Sequence, residues 1–401
     1  MDVDMFVNAS TGSVVPIQGT DPKAGPWEHM AFVPAPLTEI GPPALSGKTY
    51  LAVANARAAL AALDATARQL PNPQLLRRPT LQREAQSTSA LEGTYAPLAE
   101  VLTAADDQPY GSNMREILNY VSMASLAFSR TDSGWPLTVG FLCDMQRTLV
   151  LGTKNEGPET GRIRRTQVAV GRRAEASFDE LPVRAARFIP SPPGQDLEAN
   201  VRDFVDWLTA DHSDAIDPVV AAAMAHYQFE TLHPFHDGNG RLGRLLIVLQ
   251  LYLHGVLSEP TLTVSPWFES RRKIYYDRLL DVSCGGNWDD YVAFFATGIR
   301  ESADLTHRQM LALVELQNSF RERVRASKLR ADTAHLLVDF AVANTSFSVR
   351  QVESALEVSY GRANTLVQQL VDLGILSESF SGGPTRRFFA PEVVDVIINT
   401  R

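Results

Sequence analysis

The chain has 401 residues, 45% hydrophobic and 21% charged, enough for a globular protein of two or three domains with ample core. Its formal net charge of −9 argues against broad non-specific binding to nucleic acid, though not against a local basic patch. No run approaches the roughly 18 apolar residues of a membrane span. The start Met1-Asp-Val-Asp lacks the basic region and apolar core of a signal peptide. Cys143 and Cys284 show neither metal nor redox spacing, which points to a reducing compartment. The expectation is a cytoplasmic protein with no membrane association.

Residues 1–45 are rich in Pro, Gly, Ser and Thr without sustained periodicity, so they read as an irregular arm. From Tyr50 the pattern turns helical. Val53, Ala56, Leu60, Leu63, Ala67 and Leu70 recur at steps of three and four, and Pro71 stops the run. Further helices are predicted from about Thr80 to Leu91, Met114 to Phe128 and Leu137 to Leu151. Gly161 to Val170 carries β-branched residues between glycines and reads as extended. Val183 to Ile189, stopped by Pro190, Pro192 and Pro193, reads as extended too. The arginines at 162, 164, 165, 172 and 173 are either a solvated hairpin face or functional. Segments from there to about residue 328 look helical.

Near Lys328 the character changes. Thr333–Ala343 is amphipathic. A second helix follows with Ser348 as N-cap. A third runs from Ser359 and is closed by Gly374. Ile375 to Phe389 reads as two short strands around a glycine turn. Three helices and a wing resemble a winged helix-turn-helix domain. Arg362, Asn364, Gln368, Gln369, Arg386 and Arg387 give it modest basic character. DNA is the less favoured partner for this domain, and a protein-interaction or dimer role is the alternative.

The densest chemistry lies in His233-Pro-Phe-His-Asp237-Gly238-Asn239-Gly240-Arg241-Leu242-Gly243-Arg244. Glycines lead into a Leu-rich helix, so free backbone N–H groups and the helix dipole form an anion cradle. Two arginines on the first turns add bidentate phosphate binding. The carboxylate of Asp237 beside a phosphate site is a natural magnesium ligand. His233 has a pKa suited to taking a proton near neutral pH. Together these read as phosphate chemistry on a nucleotide. The literal G-x-G-x-x-G match fails as a dinucleotide fingerprint. Asp217 as N-cap, Pro218 as first helical residue and the alanines after them predict a helix before the glycines, where the fingerprint needs a strand. A metal site built from His226, His233 and His236 is disfavoured by Pro234 and by the lack of H-E-x-x-H spacing.

His233 to Arg244 resembles the signature of the Fic family, HPFx(D/E)GNGRxxR, at every fixed position. The likeness extends through Ala225–Leu232 before it and Leu245–Pro260 after it, and over about residues 41–320. It implies a mainly α fold: a Fic-type helical core with a small β-hairpin flap, here followed by the winged helix-turn-helix domain. The corresponding division is an arm at 1–45, an N-terminal helical region at 46–130, the Fic core at 131–328 and the winged helix at 329–401.

The resemblance also implies transfer of AMP from ATP to a Ser, Thr or Tyr hydroxyl of a target protein. His233 would take the hydroxyl proton, and Asp237 would hold Mg²⁺. Gly238, Asn239 and Gly240 would supply donors to the α- and β-phosphates. Arg241 would meet the β-phosphate and Arg244 the γ-phosphate, with Leu242 and Gly243 completing the nucleotide-binding run. Tyr275 and Tyr276 would hold adenine, unless they are core packing. Asn287 and Trp288 resemble part of the same segment. Arg187–Pro193 sits at the flap, and Phe188 and Ile189 would flank nucleotide and acceptor. Thr88-Ser-Ala-Leu-Glu92-Gly93 resembles the inhibitory motif (S/T)xxxE(G/N) of part of the family. The bland reading is a helix end capped by Gly93. A carboxylate at the negative end of a helix is disfavoured, so Glu92 needs a cation, and Arg244 is the partner the family suggests.

Three readings follow. One is a protein adenylyltransferase held in check by Glu92. Another is a deadenylylase in which Glu92 orients water. The third is a nucleotide-sensing DNA-binding regulator, disfavoured because sensing alone would not need His233. A homodimer is also open.

Overall fold

The computed structural model describes residues 1–6, 9–22, 25–69, 77–104, 111–327, 332–379 and 386–400. Helices dominate it, arranged in two compact units that the chain visits alternately. No described helix is long and apolar enough to cross a membrane.

The first unit comprises Met1–Ala58, Ser122–Val256 and Ser270–Arg300. At its centre lie the helices Pro218–Leu232 and Asn239–Leu253. Both are buried almost all round, as expected for helices apolar on every face. The first starts as its sequence predicts: the Asp217 side chain accepts from the Val219 N–H, and Pro218 occupies the first turn. Gly243 lets the pair approach closely. A Cβ there would run into the Glu230 carboxylate and the Phe229 ring. The helices Val139–Val150, Gln195–Thr209 and Arg272–Gly285 belong to the same unit.

The expected irregular arm is instead mostly a β-hairpin. Gly12–Asp21 pairs antiparallel with Gly25–Pro34, from Gly12↔Pro34 to Asp21↔Gly25. Pro16 and Gly19 hid the first strand from a propensity reading. Gly19 is tolerated because the Trp27 ring opposite fills the space where a Cβ would stand. The hairpin is held by burial the sequence alone does not show. Phe32 and Ala31 join Met1, Val183, Ala186 and Ile189 in one apolar cluster. The rings of Phe6, Phe32 and Phe188 stand within 5.3–6.4 Å of one another.

The flap is less regular than expected. Its two arms meet at one bridge, Val170 with Phe188, exchanging N–H···O bonds of 2.9 and 3.1 Å. Val183 lies in a helical turn, Pro182–Ala185, which Pro182 initiates. The next residue pair reaches the N-terminal hairpin, where the Phe32 N–H donates to the Ile189 carbonyl at 2.9 Å.

The second unit comprises Ala59–Val121, Leu257–Glu269 and Glu301–Arg401. The helix predicted from Tyr50 spans Gly47–Gln69, and Leu70 and its Pro71 stop lie outside the described residues. The helix Arg77–Leu91 is mostly buried. Its Glu84 carboxylate accepts from the Ser265 N–H at 3.0 Å and from the Ser265 hydroxyl. At the C-terminal end, Asp332–Ala343, Val349–Leu356 and Tyr360–Asp372 match the three expected helices. Ser348 caps the second in a full capping box with Gln351. The strands Phe347–Ser348, Arg387–Phe389 and Ser377–Ser379 form one antiparallel sheet in that spatial order. The glycine turn of the expected wing falls at 380–385, and the expected boundary at Lys328 falls at 328–331; both lie outside the described residues.

These C-terminal elements bond to the helix Arg77–Leu91. Thr345 donates to Gln82 at 2.6 Å, and Arg83 donates to the Ile397 carbonyl. One of the basic residues assigned to the wing is turned inward. Arg387 is buried, with its guanidinium on the Ser346 hydroxyl and carbonyl, because the register sets it between Ser348 and Ser379 in the middle strand. Arg386 makes a two-pronged pair with Glu378 at 2.7 and 2.9 Å.

Candidate functional site

The loop between the two central helices presents its donors and hides its acceptors. The helix Pro218–Leu232 ends at His233, whose backbone is left-handed, φ 49° and ψ 59°. Five carbonyls at and after the helix end are bonded away from the cradle. Those of Leu232 and His233 accept from the Arg164 guanidinium, and that of Pro234 from the Arg164 N–H at 2.9 Å. That of Phe235 accepts from the Asn239 amide at 2.8 Å, and the same amide's oxygen takes the Phe235 N–H at 2.9 Å. The Asp237 carbonyl accepts from Gln146 at 3.1 Å. Gly238, left-handed at φ 84°, then opens the helix Asn239–Leu253. A Cβ at Gly238 would strike Leu149.

The first helical hydrogen bond runs from the Leu242 N–H to the Gly238 carbonyl. The N–H groups of Gly238, Asn239, Gly240 and Arg241 therefore have no acceptor within the helix, and they sit at its positive end. That arrangement is the one an anion site would use. Two details differ from the sequence reading. The Asn239 side chain serves the loop, so Asn239 can offer an anion only its backbone N–H. Leu242 is fully buried and its N–H is consumed in the helix, so it is core and not a phosphate contact.

His233 is half-buried, and its Nδ1 lies 3.1 Å from the Glu230 carbonyl. A carbonyl only accepts, so in the neutral ring Nδ1 carries the proton and Nε2 the lone pair. That is the tautomer a general base needs. The Asp237 carboxylate accepts from Arg241 at 2.7 Å and from Asn155 at 3.1 Å. Among the described residues no three His, Cys, Asp or Glu groups cluster as a metal site. One carboxylate beside a phosphate cradle nevertheless suits Mg²⁺, which takes one or two carboxylates and completes its shell with phosphate and water.

Behind the cradle, Arg241 and Arg244 are both at most 1% exposed. His226 is fully buried beside them, with Nδ1 3.1 Å from the Gly243 carbonyl and Nε2 2.7 Å from the Tyr275 hydroxyl. Burial, and then the Arg244 charge, push its pKa down to about 3. Tyr275 is fully buried with its phenol on His226, so it braces the helix pair from within and its hydroxyl is not offered to a base. Tyr276, its ring tilted at 5.0 Å from that of Tyr275, remains partly exposed. Trp288 packs edge-on to Tyr227 in the core. Ile189, expected beside the nucleotide, is buried in the cluster with Phe32 and Met1, whereas Phe188 is half-buried at the flap bridge.

In the other unit, Thr88 is fully buried and Glu92 is exposed just past the last helical residue, Leu91. Gly93 takes the left-handed φ of 89° that a glycine end cap requires. Gln146 and Asn155 went unrecognised in the sequence, where a lone Gln or Asn has no motif, and Arg164 was read only as one of a run of arginines, either solvated or functional.

His226 makes stability depend on pH. Unfolded, the ring takes its proton near pH 6.5; folded, only near 3. Between these values the unfolded state holds more protons, so stability falls as pH drops from 6.5 towards 3, by up to about 1.4 kcal/mol per pH unit. Urea unfolding at pH 7, 6 and 5 should show a shallower decline in His226→Gln, whose amide can replace both bonds. Parallel declines in the two proteins would mean that His226 does not carry the effect.

The loop at 233–244 lies within a segment that matches a known family model. Residues 50–129 match the Fic/DOC family N-terminal model, and residues 136–251 match the Fic/DOC family model. The chain is 40% identical over 120 residues to "Protein adenylyltransferase fic-1" of Caenorhabditis elegans, covering 30% of this chain and 20% of that protein. It is 37% identical over 147 residues to "Protein adenylyltransferase Fic" of Culex quinquefasciatus, covering 37% of this chain and 25% of that protein. The chain thus spans only a fifth to a quarter of the length of these relatives. In fold it is similar to a Fic family protein from Desulfovibrio desulfuricans G20, with a TM-score of 0.52 at 21% identity over 87% of this chain and 98% of the other. It is also similar to a C. elegans Fic-1 fragment, with a TM-score of 0.50 at 22% identity over 67% of this chain and 74% of the other. Over residues 50–129 and 136–251, the chain belongs to the Fic/DOC family.

Proposed function

We propose that this protein is an adenylyltransferase that moves AMP from ATP onto a hydroxyl of a target protein. The observation that carries the reading is the loop of residues 233–241. A histidine with its lone pair on Nε2 stands a few residues before four helix-end N–H groups, backed by two buried arginines. The names of the relatives point the same way.

In this reading the acceptor oxygen attacks the α-phosphorus in line with the bond to the β-phosphate oxygen. The new P–O bond forms as that bond breaks, and pyrophosphate leaves. His233 Nε2 takes the hydroxyl proton. The N–H groups at 238–241 receive the charge on the phosphate oxygens, already oriented before the reaction. Arg241 and Arg244 neutralise the outer phosphates. Asp237 would hold Mg²⁺, which supplies further neutralisation of the phosphate charge. Tyr276 is the aromatic group available for adenine, and Phe188 the one at the flap.

Glu92 is proposed as a brake, a carboxylate that competes with phosphate for the arginines of the motif. The C-terminal segment is proposed as a winged helix, supported by its order of helix, short strand, two helices and two strands. With Arg387 committed to Ser346, a role in protein interaction is better supported than DNA recognition.

The test is incubation of purified protein with labelled ATP and Mg²⁺, alone and with cell lysate, followed by mass spectrometry. The expected result is an AMP adduct on Ser, Thr or Tyr, of this chain or of a captured protein. No adduct from wild type or from the Glu92→Gly variant, with free AMP released when a protein already carrying AMP is supplied instead, would reverse the assigned direction.

A further inference from the structure

Among the described residues, Arg164 is the largest fully buried polar side chain of the first unit that the reaction above does not use. It is 1% exposed. Its guanidinium bonds four main-chain carbonyls: His233 from Nε at 2.8 Å, Thr166 from Nη1 at 3.2 Å, Leu232 from Nη2 at 3.4 Å, and Ser191 from Nη2. Its own N–H adds Pro234. Three segments therefore meet on one side chain: residues 164–166, the end of the flap and the catalytic loop. Burial draws its pKa down to about 10, so the group is still a cation at neutral pH. Two of its carbonyls, Leu232 and His233, close the helix Pro218–Leu232, whose negative end favours a cation.

The contacts bear on His233 in particular. A left-handed backbone at a residue other than glycine costs about 1–2 kcal/mol. Three ties hold His233 there: its N–H on the Phe229 carbonyl, its Nδ1 on the Glu230 carbonyl, and its own carbonyl on Arg164 Nε. The first two come from the helix itself. The third comes from Arg164 alone, which also grips Ser191, two residues past the flap residue Ile189. We propose that Arg164 is a positioning residue for the transfer reaction, fixing the backbone and hence the ring of His233 while locking the flap end to the same loop. The inference rests on the reading of His233 as general base.

A guanidinium donates in one plane from three nitrogens, whereas a lysine ammonium is a single point at the end of a flexible stem. Lys can keep the buried charge and one carbonyl, but it has no donor where Nε meets His233. Arg164→Lys therefore separates charge from geometry. The expected result is a folded protein with ATP affinity close to wild type, and a transfer kcat lowered by about 10²-fold, the scale of a misplacement of about 1 Å. KM for ATP should move little, and the acid limb of the pH–rate profile should shift as the Nδ1 bond to Glu230 loosens. A readout independent of catalysis is ¹⁵N NMR of the His233 ring, assigned with His233→Asn. Wild type should show the Nδ1–H tautomer, and Arg164→Lys a mixture. Wild-type kcat and tautomer in Arg164→Lys would overturn the proposal. So would a loss of rate matched by an equal loss of ATP affinity, or failure of both Arg164→Lys and Arg164→Gln to fold, since Arg164 would then serve the fold as a whole. If His233→Asn proves as active as wild type, the general-base reading falls, while the ring tautomer still decides whether Arg164 holds His233.

Discussion

Replacing His233 should lower AMP transfer by about 10²–10⁴-fold, the usual contribution of a positioned general base, and leave ATP binding nearly intact. The separation follows from the geometry. In the proposed reading the phosphate contacts would come from backbone N–H groups at 238–241 and from Arg241 and Arg244, none of which needs the imidazole. The choice of replacement matters because the backbone at 233 is left-handed. Alanine is strained there, whereas asparagine adopts that region more readily. His233→Ala and His233→Asn should therefore be equally inactive if the ring is what matters. Activity retained in Asn but lost in Ala would point to loop strain as the cause. Wild-type rates in both would remove His233 from the chemistry. Nucleotide affinity by calorimetry in the same proteins checks that the cradle is undisturbed.

The site was legible in the sequence where backbone chemistry is written into residue type. Glycine at 238, a left-handed position, and a helix start immediately after it follow from the residues alone. So do the Asp217 and Ser348 caps, each a short polar side chain before an apolar period. What the sequence did not show is where long side chains turn. Arg164 and Arg165 are neighbours of the same type, yet one is buried on four carbonyls and the other exposed. Tyr275 and Tyr276 differ in the same way, one bonded to His226 in the core and one partly in solvent. These outcomes depend on which carbonyls and rings arrive from distant segments, and local periodicity carries no record of them. The N-terminal hairpin was missed for a related reason. Its strands include Pro16 and Gly19, and their stability comes from Phe32 meeting Phe188 and Ile189, more than 150 positions away.

Glu92→Gly should raise AMP transfer, including self-modification, by up to about 10²-fold. Glu92 is exposed and lies beyond the last helical residue of Arg77–Leu91, so removing its side chain costs the fold little. It also removes a carboxylate from the negative end of that helix, where it is disfavoured by about 0.3–1 kcal/mol. A gain in rate therefore cannot be credited to better folding by more than that small margin, and melting temperatures of the two proteins will show it. The gain is assigned to competition for cations. An arginine cannot give its two-pronged geometry to a carboxylate and to a phosphate at once. With the carboxylate gone, ATP would lie with its α-phosphate in line for attack more of the time. The expected signature is a higher kcat with little change in ATP affinity. Arg244→Lys in the Glu92→Gly background should cancel most of the gain, because lysine keeps the charge but not the fork. The helix Arg77–Leu91 is bonded to the C-terminal segment through Gln82 with Thr345 and Arg83 with Ile397. Thr345→Val should consequently loosen that helix and move wild-type activity in the same direction as Glu92→Gly, by a smaller factor. Equal rates for wild type and Glu92→Gly with labelled ATP would leave Glu92 as a helix-end residue and nothing more.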